Sequence, residues 1–235
     1  DKGKNMNNAI KEIETLSKKG ADIVVLPEMF NCPYNINYFP KYAELCGGEC
    51  WSLLSKAALE NNIYLVGGSI PEIDDQGNIY NTSYIFDRNG VQIGKHRKIH
   101  LFDINIEGGQ HFMESEVIKA GNCVTVFDSE FCKIGVAICY DYRFPEISRL
   151  MVDKGAKVII IPAAFNMTTG PAHWELLFRQ RAVDNQVFSI GVAPSRNYNA
   201  SYVSYGNSIV VSPWGDVLLR LGEKEASEII DINLD

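Results

Sequence analysis

The chain has 235 residues, of which 46% are hydrophobic and 22% charged, the make-up of an ordinary globular protein long enough to bury a large core. A formal net charge of −7 argues against a broad phosphate-binding surface, and so against nucleic acid as a partner. No apolar run approaches the roughly 20 residues needed to cross a bilayer, and no signal-peptide pattern opens the chain.

Residues 5–19 read as an amphipathic helix, with Ile10, Ile13 and Leu16 spaced by three and Lys18-Lys19-Gly20 closing it. Ile23-Val24-Val25-Leu26 is wholly apolar, as expected of a strand covered on both faces. The pattern then predicts a helix over 51–61 and a strand over 63–67. It next predicts a hairpin in which Tyr80–Asp87 and Val91–His96 flank the turn Arg88-Asn89-Gly90. Val124–Phe127 and Lys133–Ile138 are two further strands. A helix begins near Phe144-Pro145-Glu146, with proline and an acid in its first turn. Val158–Pro162 is a buried strand, 171–185 a helix and 187–193 a strand. A last hairpin over 203–220 turns at Pro213-Trp214-Gly215. This alternation predicts a single α/β domain over 1–235, without repeats or linkers.

The six cysteines, at 32, 46, 50, 123, 132 and 139, read as reduced thiols of a cytoplasmic protein, since a chain of this length needs no disulfide staples. Cys46 and Cys50 form a C-x3-C pair with neither a second pair nor a nearby histidine, which is no zinc signature. His96 and His100, four apart on a strand, offer no chelating face, so no metal is expected.

Three segments carry chemistry. In Val24-Val25-Leu26-Pro27-Glu28 an apolar strand stops at proline and a carboxylate follows, at the kind of strand end where α/β sheets gather ligands. The alternative is a solvated loop acid. In Gly94-Lys95-His96-Arg97-Lys98-Ile99-His100-Leu101-Phe102, strand alternation can turn Lys98 inward while Arg97 points out. Here the alternative is an edge strand guarded by charge. In Lys133–Glu146 a strand stops at Cys139 just before a helix. Helix amides favour the thiolate there, and the Tyr140 amide can face an oxyanion; an inert buried cysteine is the alternative. No obvious Cys–His pair accompanies Cys139. Glu28 is therefore the candidate base, because a carboxylate beside an apolar wall can work near neutrality.

Together and in this order, the three segments resemble the nitrilase (carbon–nitrogen hydrolase) superfamily. That family places a glutamate after an L-P-E strand end, a lysine in K-x-H/R-K-[IVL]-H-L-F and a cysteine in G-x-x-I-C-[YW]-D-x-R-[FY]-P-E. The resemblance implies an α-β-β-α sandwich that dimerises or forms a larger homo-oligomer, with no metal and no organic cofactor. It implies Cys139 as nucleophile, Glu28 as base and Lys98 as oxyanion partner. Phe112-Met113-Glu114-Ser115 matches the segment of the family's second glutamate, making Glu114 the fourth catalytic position. The segments Pro162–Glu175, Arg181–Val187 and Ala200-Ser201-Tyr202-Val203 are similar to the omega-amidase branch, which hydrolyses the terminal amide of alpha-ketoglutaramate and alpha-ketosuccinamate.

For the far carboxylate of such a substrate the resemblance offers Arg143, whose alternative is a surface ion pair with Glu146. Tyr34 is placed to close the pocket, or else simply packs in its loop. Tyr140, Phe165 and His173 complete the substrate-side candidates. Against the family pattern, the chain lacks the usual first strand and C-terminal extension. The rival readings are amidases acting on deaminated glutathione or N-carbamoyl compounds, a non-catalytic module that keeps the fold, and a disulfide-stapled secreted protein.

Overall fold

Helix α1 (Lys2–Lys18) starts three residues earlier than its apolar spacing predicts, because Asp1 caps it: the carboxylate accepts the Lys4 N–H at 3.0 Å. Met6, Ala9, Ile13 and Leu16 then line one buried face. In this computed structural model, which describes residues 1–105, 107 and 111–234, the chain continues through β1 (Ile23–Val25), the short α2 (Phe39–Tyr42) and α3 (Glu49–Asn61). There follow β2 (Tyr64–Val66), β3 (Ile70–Ile73), β4 (Ile79–Phe86), β5 (Gln92–Arg97), β6 (Asp103–Asn105) and β7 (His111–Met113). The second half comprises β8 (Thr125–Asp128), β9 (Lys133–Val136), α4 (Pro145–Asp153), β10 (Ala156–Pro162), α5 (Gly170–Asn185), β11 (Phe188–Val192), β12 (Ile209–Val211) and β13 (Val217–Arg220).

Two sheets form. In the first, β1 runs parallel to β2, and β4 carries β2 and β3 along one edge and β5 along the other. The second has the order β13-β12-β11-β10-β9-β8, parallel only across β9, β10 and β11. Strand alternation explains why these sheets stack. Val158 and Ile160 of β10 turn toward Val66 and Ile85 of the first sheet, whereas Ile159 and Ile161 turn the other way, toward Trp174 and Phe178 of α5. Likewise Leu65 and Phe86 pack under Ile13 of α1 and Leu54 of α3. The layers are thus α-β-β-α, as the family resemblance implies, and each fully buried aliphatic side chain contributes about 1.5–3 kcal/mol.

The predicted hairpin is present. Asp87 accepts the N–H groups of Asn89 and Val91 at 2.9 Å, and Gly90 adopts φ +71 against the Ser55 carbonyl. The last hairpin is shorter than 203–220, with only 209–211 and 217–220 paired across the turn. As expected, α4 begins at Pro145; a 3₁₀ turn over Cys139–Arg143 lies between it and β9, which ends at Val136 rather than Ile138. No described helix is long and apolar enough to cross a membrane.

Candidate active site

Glu28 follows β1 because Pro27 ends the strand and the chain turns sharply, with Met29 at φ +49 and its N–H held by Ser69 Oγ at 3.0 Å. The turn fits only against a glycine: a Cβ on Gly68 would meet the Pro27 carbonyl at 2.2 Å. So placed, Glu28 is almost wholly enclosed, 1% exposed. Its Oε1 accepts from Asn81 Nδ2 (2.8 Å), Lys98 Nζ (3.1 Å) and Tyr34 OH (3.2 Å). Its Oε2 accepts from the Ala164 N–H at 2.8 Å, donated by the loop that follows β10.

Lys98 stands just past β5, where alternation sends it inward while Arg97 reaches Glu72 at 2.8 Å. Of the two readings open in the sequence, the inward one is correct for Lys98: it has no exposed surface. It bridges Glu28 and Glu114, the latter at 3.0 Å to Oε1 and 2.9 Å to Oε2. Burial disfavours its ammonium, but the charges of Glu114 and Glu28 outweigh that and hold Lys98 well above the usual lysine value. Glu114 opens the 3₁₀ turn after β7, and its Oε2 also accepts the Phe102 N–H at 2.8 Å. Burial first, then the neighbouring Glu28 charge, keeps its carboxyl above the usual value despite Lys98.

Cys139 leaves β9 at φ +46, a left-handed conformation rare outside glycine. It lies within electrostatic reach of Glu28, Lys98 and Glu114. Burial, and then the Glu28 charge, raise its thiol well above the usual cysteine range, although Lys98 and the Ala164 amide pull the other way. This direction is opposite to the one expected from helix amides: burial dominates, and the N-terminus of α4 at Pro145 is several residues away.

The substrate-side candidates divide into two groups. Tyr34 donates toward both glutamates, to Glu114 Oε1 at 2.8 Å and Glu28 Oε1 at 3.2 Å, and its ring stacks on Phe112 and lies tilted against Tyr202. It is thus more than loop packing. Arg143 lies over the rings of Tyr140 and Phe165 at 5.6 and 5.2 Å, with His173 Nδ1 at 3.2 Å from its guanidinium. Among the described residues no carboxylate pairs with it, so the surface pair with Glu146 does not form. Phe165 also packs edge-on against Trp174 in the core.

Three partners escaped the sequence reading: Asn81, the Ala164 amide, and Tyr202, whose OH donates to the Ala164 carbonyl at 2.5 Å. Asn81 is a polar side chain inside the predicted strand Tyr80–Asp87, and Ala164 and Tyr202 lie in segments similar to the omega-amidase branch, but nothing in the sequence pointed to these contacts. His96 and His100 converge on Asp141. An open groove of about 980 Å³ lies elsewhere, along β1, α1 and residues 224–234, and none of Glu28, Lys98, Glu114 and Cys139 lines it.

An α-β-β-α sandwich that encloses a thiol, an ammonium and two carboxylates has the make-up of a thiol hydrolase. The carbon–nitrogen hydrolase family model matches residues 1–235. An omega-amidase NIT2-B of Xenopus laevis is 52% identical over 99% of this chain and 84% of its own length, and the omega-amidase NIT2 of Homo sapiens is 48% identical over the same shares. The crystal structure of Saccharomyces cerevisiae Nit3, a member of branch 10 of the nitrilase superfamily, superposes with TM-score 0.89 at 45% identity, covering 96% of this chain and 82% of that one. The chain belongs to the carbon–nitrogen hydrolase family, and is accordingly a hydrolase of carbon–nitrogen bonds.

Proposed function

We propose that this enzyme is an omega-amidase, releasing ammonia from the terminal amide of small keto-acid monoamides such as alpha-ketoglutaramate or alpha-ketosuccinamate. The observation that carries this reading is the pairing of two features: the enclosed Glu28–Lys98–Glu114 cluster beside Cys139, and the nearby Arg143 guanidinium with no carboxylate partner among the described residues. The omega-amidase relatives, about half identical across nearly the whole chain, support the same substrate class.

In this mechanism Glu28 takes the proton from Cys139. Oε1 already accepts from three donors, whereas among the described residues Oε2 meets only the Ala164 N–H, so Oε2 is the oxygen with room for the proton. The sulfur attacks the amide carbon, and Lys98 with the Tyr140 N–H stabilises the oxyanion. Glu28 passes that proton to the amide nitrogen as the carbon–nitrogen bond breaks, so ammonia leaves and a thioester remains on Cys139. Glu28 then activates water to hydrolyse it. Glu114 orients Lys98, while Tyr34 spans both carboxylates and closes the site over the substrate. Arg143, backed by His173 and seated on Tyr140 and Phe165, grips the far carboxylate.

The proposal extends to setting and assembly. Six free cysteines suit a reducing, cytoplasmic compartment. Exposed Leu176 and Val183 of α5 lie on the side of the molecule where α5 meets the Gly215 turn and the 86% exposed Trp214, an apolar surface that suits a homodimer. The deciding experiment measures ammonia release from alpha-ketoglutaramate, alpha-ketosuccinamate, deaminated glutathione and an N-carbamoyl amino acid. A kcat/KM highest on one of the last two refutes the substrate assignment. No turnover on any of them, with Cys139 still alkylated stoichiometrically, favours a non-catalytic module.

A further inference from the structure

Asp141 sits two residues beyond Cys139 and has no exposed surface. Its Oδ1 accepts the backbone N–H groups of Ile99 (3.1 Å) and His100 (2.8 Å), and meets His100 Nδ1 at 2.9 Å. Its Oδ2 accepts the backbone N–H of Ile138 at 3.0 Å and meets His96 Nε2 at 2.9 Å. Burial works against the charged carboxylate, yet the His100 and His96 hydrogen bonds and the Ile138 amide hold it well below the usual aspartate range. His96 is steadied at its other nitrogen by Thr125 Oγ1 of β8 at 3.1 Å.

The positions of these donors give the cluster its meaning. Ile99 and His100 directly follow Lys98, and Ile138 directly precedes Cys139. One carboxylate thus clamps the main chain on both sides of the site, and does so where Cys139 is held at φ +46, a conformation that persists only when its surroundings enforce it. The residue is not interchangeable with its amide. In asparagine, an NH₂ group would face either the Ile138 N–H and His96 or the Ile99 and His100 N–H groups, setting donor against donor.

We propose that Asp141 is a positioning residue that fixes the Lys98 ammonium relative to the Cys139 thiol, by tying the Lys98–His100 segment to the Ile138–Cys139 turn through main-chain hydrogen bonds. It acts through those two residues, and so rests on their catalytic assignment above. Misplacing a preorganised oxyanion contact costs on the order of 10²–10³ in rate, and the loss falls on kcat, because substrate is still held by Arg143.

The test uses the full chain carrying Asp141→Asn, compared with Cys139→Ala. Folding is checked by circular dichroism, kcat and KM are measured well below the melting temperature, and iodoacetamide alkylation of Cys139 is followed against pH. The expected result is a folded Asp141→Asn protein with kcat lowered roughly 10²–10³-fold, KM near the parental value and an altered alkylation profile. Parental kcat in the folded variant overturns the proposal. So does a kcat loss that merely tracks the loss of folded protein with an unchanged alkylation profile. If Asp141→Asn does not fold, Asp141→Glu keeps the charge but moves the carboxylate by one methylene out of register with the Ile99, His100 and Ile138 N–H groups. A lowered kcat at parental KM then supports the proposal, and parental kcat overturns it. Full activity in Cys139→Ala sinks the catalytic assignment itself, whereas a dead Cys139→Ala beside a fully active Asp141→Asn sinks only the positioning role.

Discussion

Replacing Lys98 by methionine keeps the length of the side chain and removes its charge. One ammonium serves two enclosed carboxylates, at 3.1 Å to Glu28 Oε1 and 2.9 Å to Glu114 Oε2, and none of the three side chains has appreciable exposed surface. Taking out one partner of a buried pair costs about 3–5 kcal/mol, because the remaining charge is left in a low-dielectric interior. At about 2–4 °C per kcal/mol for a domain of this size, the melting temperature of Lys98→Met falls by roughly 6–20 °C near neutrality.

The loss has a definite sign with pH. The Glu114 carboxyl is already raised above 4.5, first by burial and then by Glu28, and Lys98 opposes the rise. Removing Lys98 raises it further. A carboxyl with a raised folded value contributes stability that is fully present below its unfolded value and is lost as pH climbs through the folded value. The deficit relative to the parent is therefore largest on the alkaline side of neutrality and shrinks as pH falls toward the ordinary carboxylate range. Thermal melts followed by circular dichroism across that range read it directly, and adding Glu114→Gln should recover much of the lost melting temperature while leaving activity at background. A deficit that does not vary with pH, or a Lys98→Met protein as stable as the parent above neutrality, refutes this account of the cluster.

Cys139→Ala should fold and reduce ammonia release to background, since it removes only the sulfur; residual turnover above trace reassigns the nucleophile. Arg143→Leu should raise KM for keto-diacid monoamides roughly ten- to more than a hundred-fold, the equivalent of about 1.5–3 kcal/mol for a charged hydrogen bond in a closed pocket. A neutral amide of similar length should be affected far less, and equal losses on both would make Arg143 structural. Tyr202→Phe leaves the Ala164 carbonyl without its donor, at a cost of about 1–3 kcal/mol. It should lower the melting temperature by several degrees and reduce kcat through the Ala164 amide that holds Glu28, with calorimetry and ammonia release as the two readouts.

Where periodicity is local, the sequence was legible. The 87–91 turn, the inward Lys98 and the helix-strand alternation all follow from spacing and turn chemistry within a few residues. β3 was not seen, because Ile70-Pro71-Glu72-Ile73 hides a buried acid whose partners Arg97 and Lys95 lie on another strand. The base and nucleophile were readable from strand ends, but the groups that hold the base were not. Glu28 is bound by Asn81 and by Ala164, 53 and 136 residues away along the chain, and only the closed sandwich brings them together. The upward shift of the Cys139 thiol was not legible for a related reason: local sequence shows a strand followed by a helix-forming proline, but neither the depth of burial nor the 3₁₀ turn between them.

The left-handed backbone at Cys139 also sets catalysis against folding at a single position. Glycine takes φ +46 without the steric penalty that any side chain incurs there, a difference of order 1–2 kcal/mol. By backbone sterics alone, the residue this turn prefers is thus one that cannot do chemistry. A copy of the fold released from selection for turnover has a downhill route to glycine at 139, whereas a copy that keeps cysteine there retains a residue that stability alone would discard.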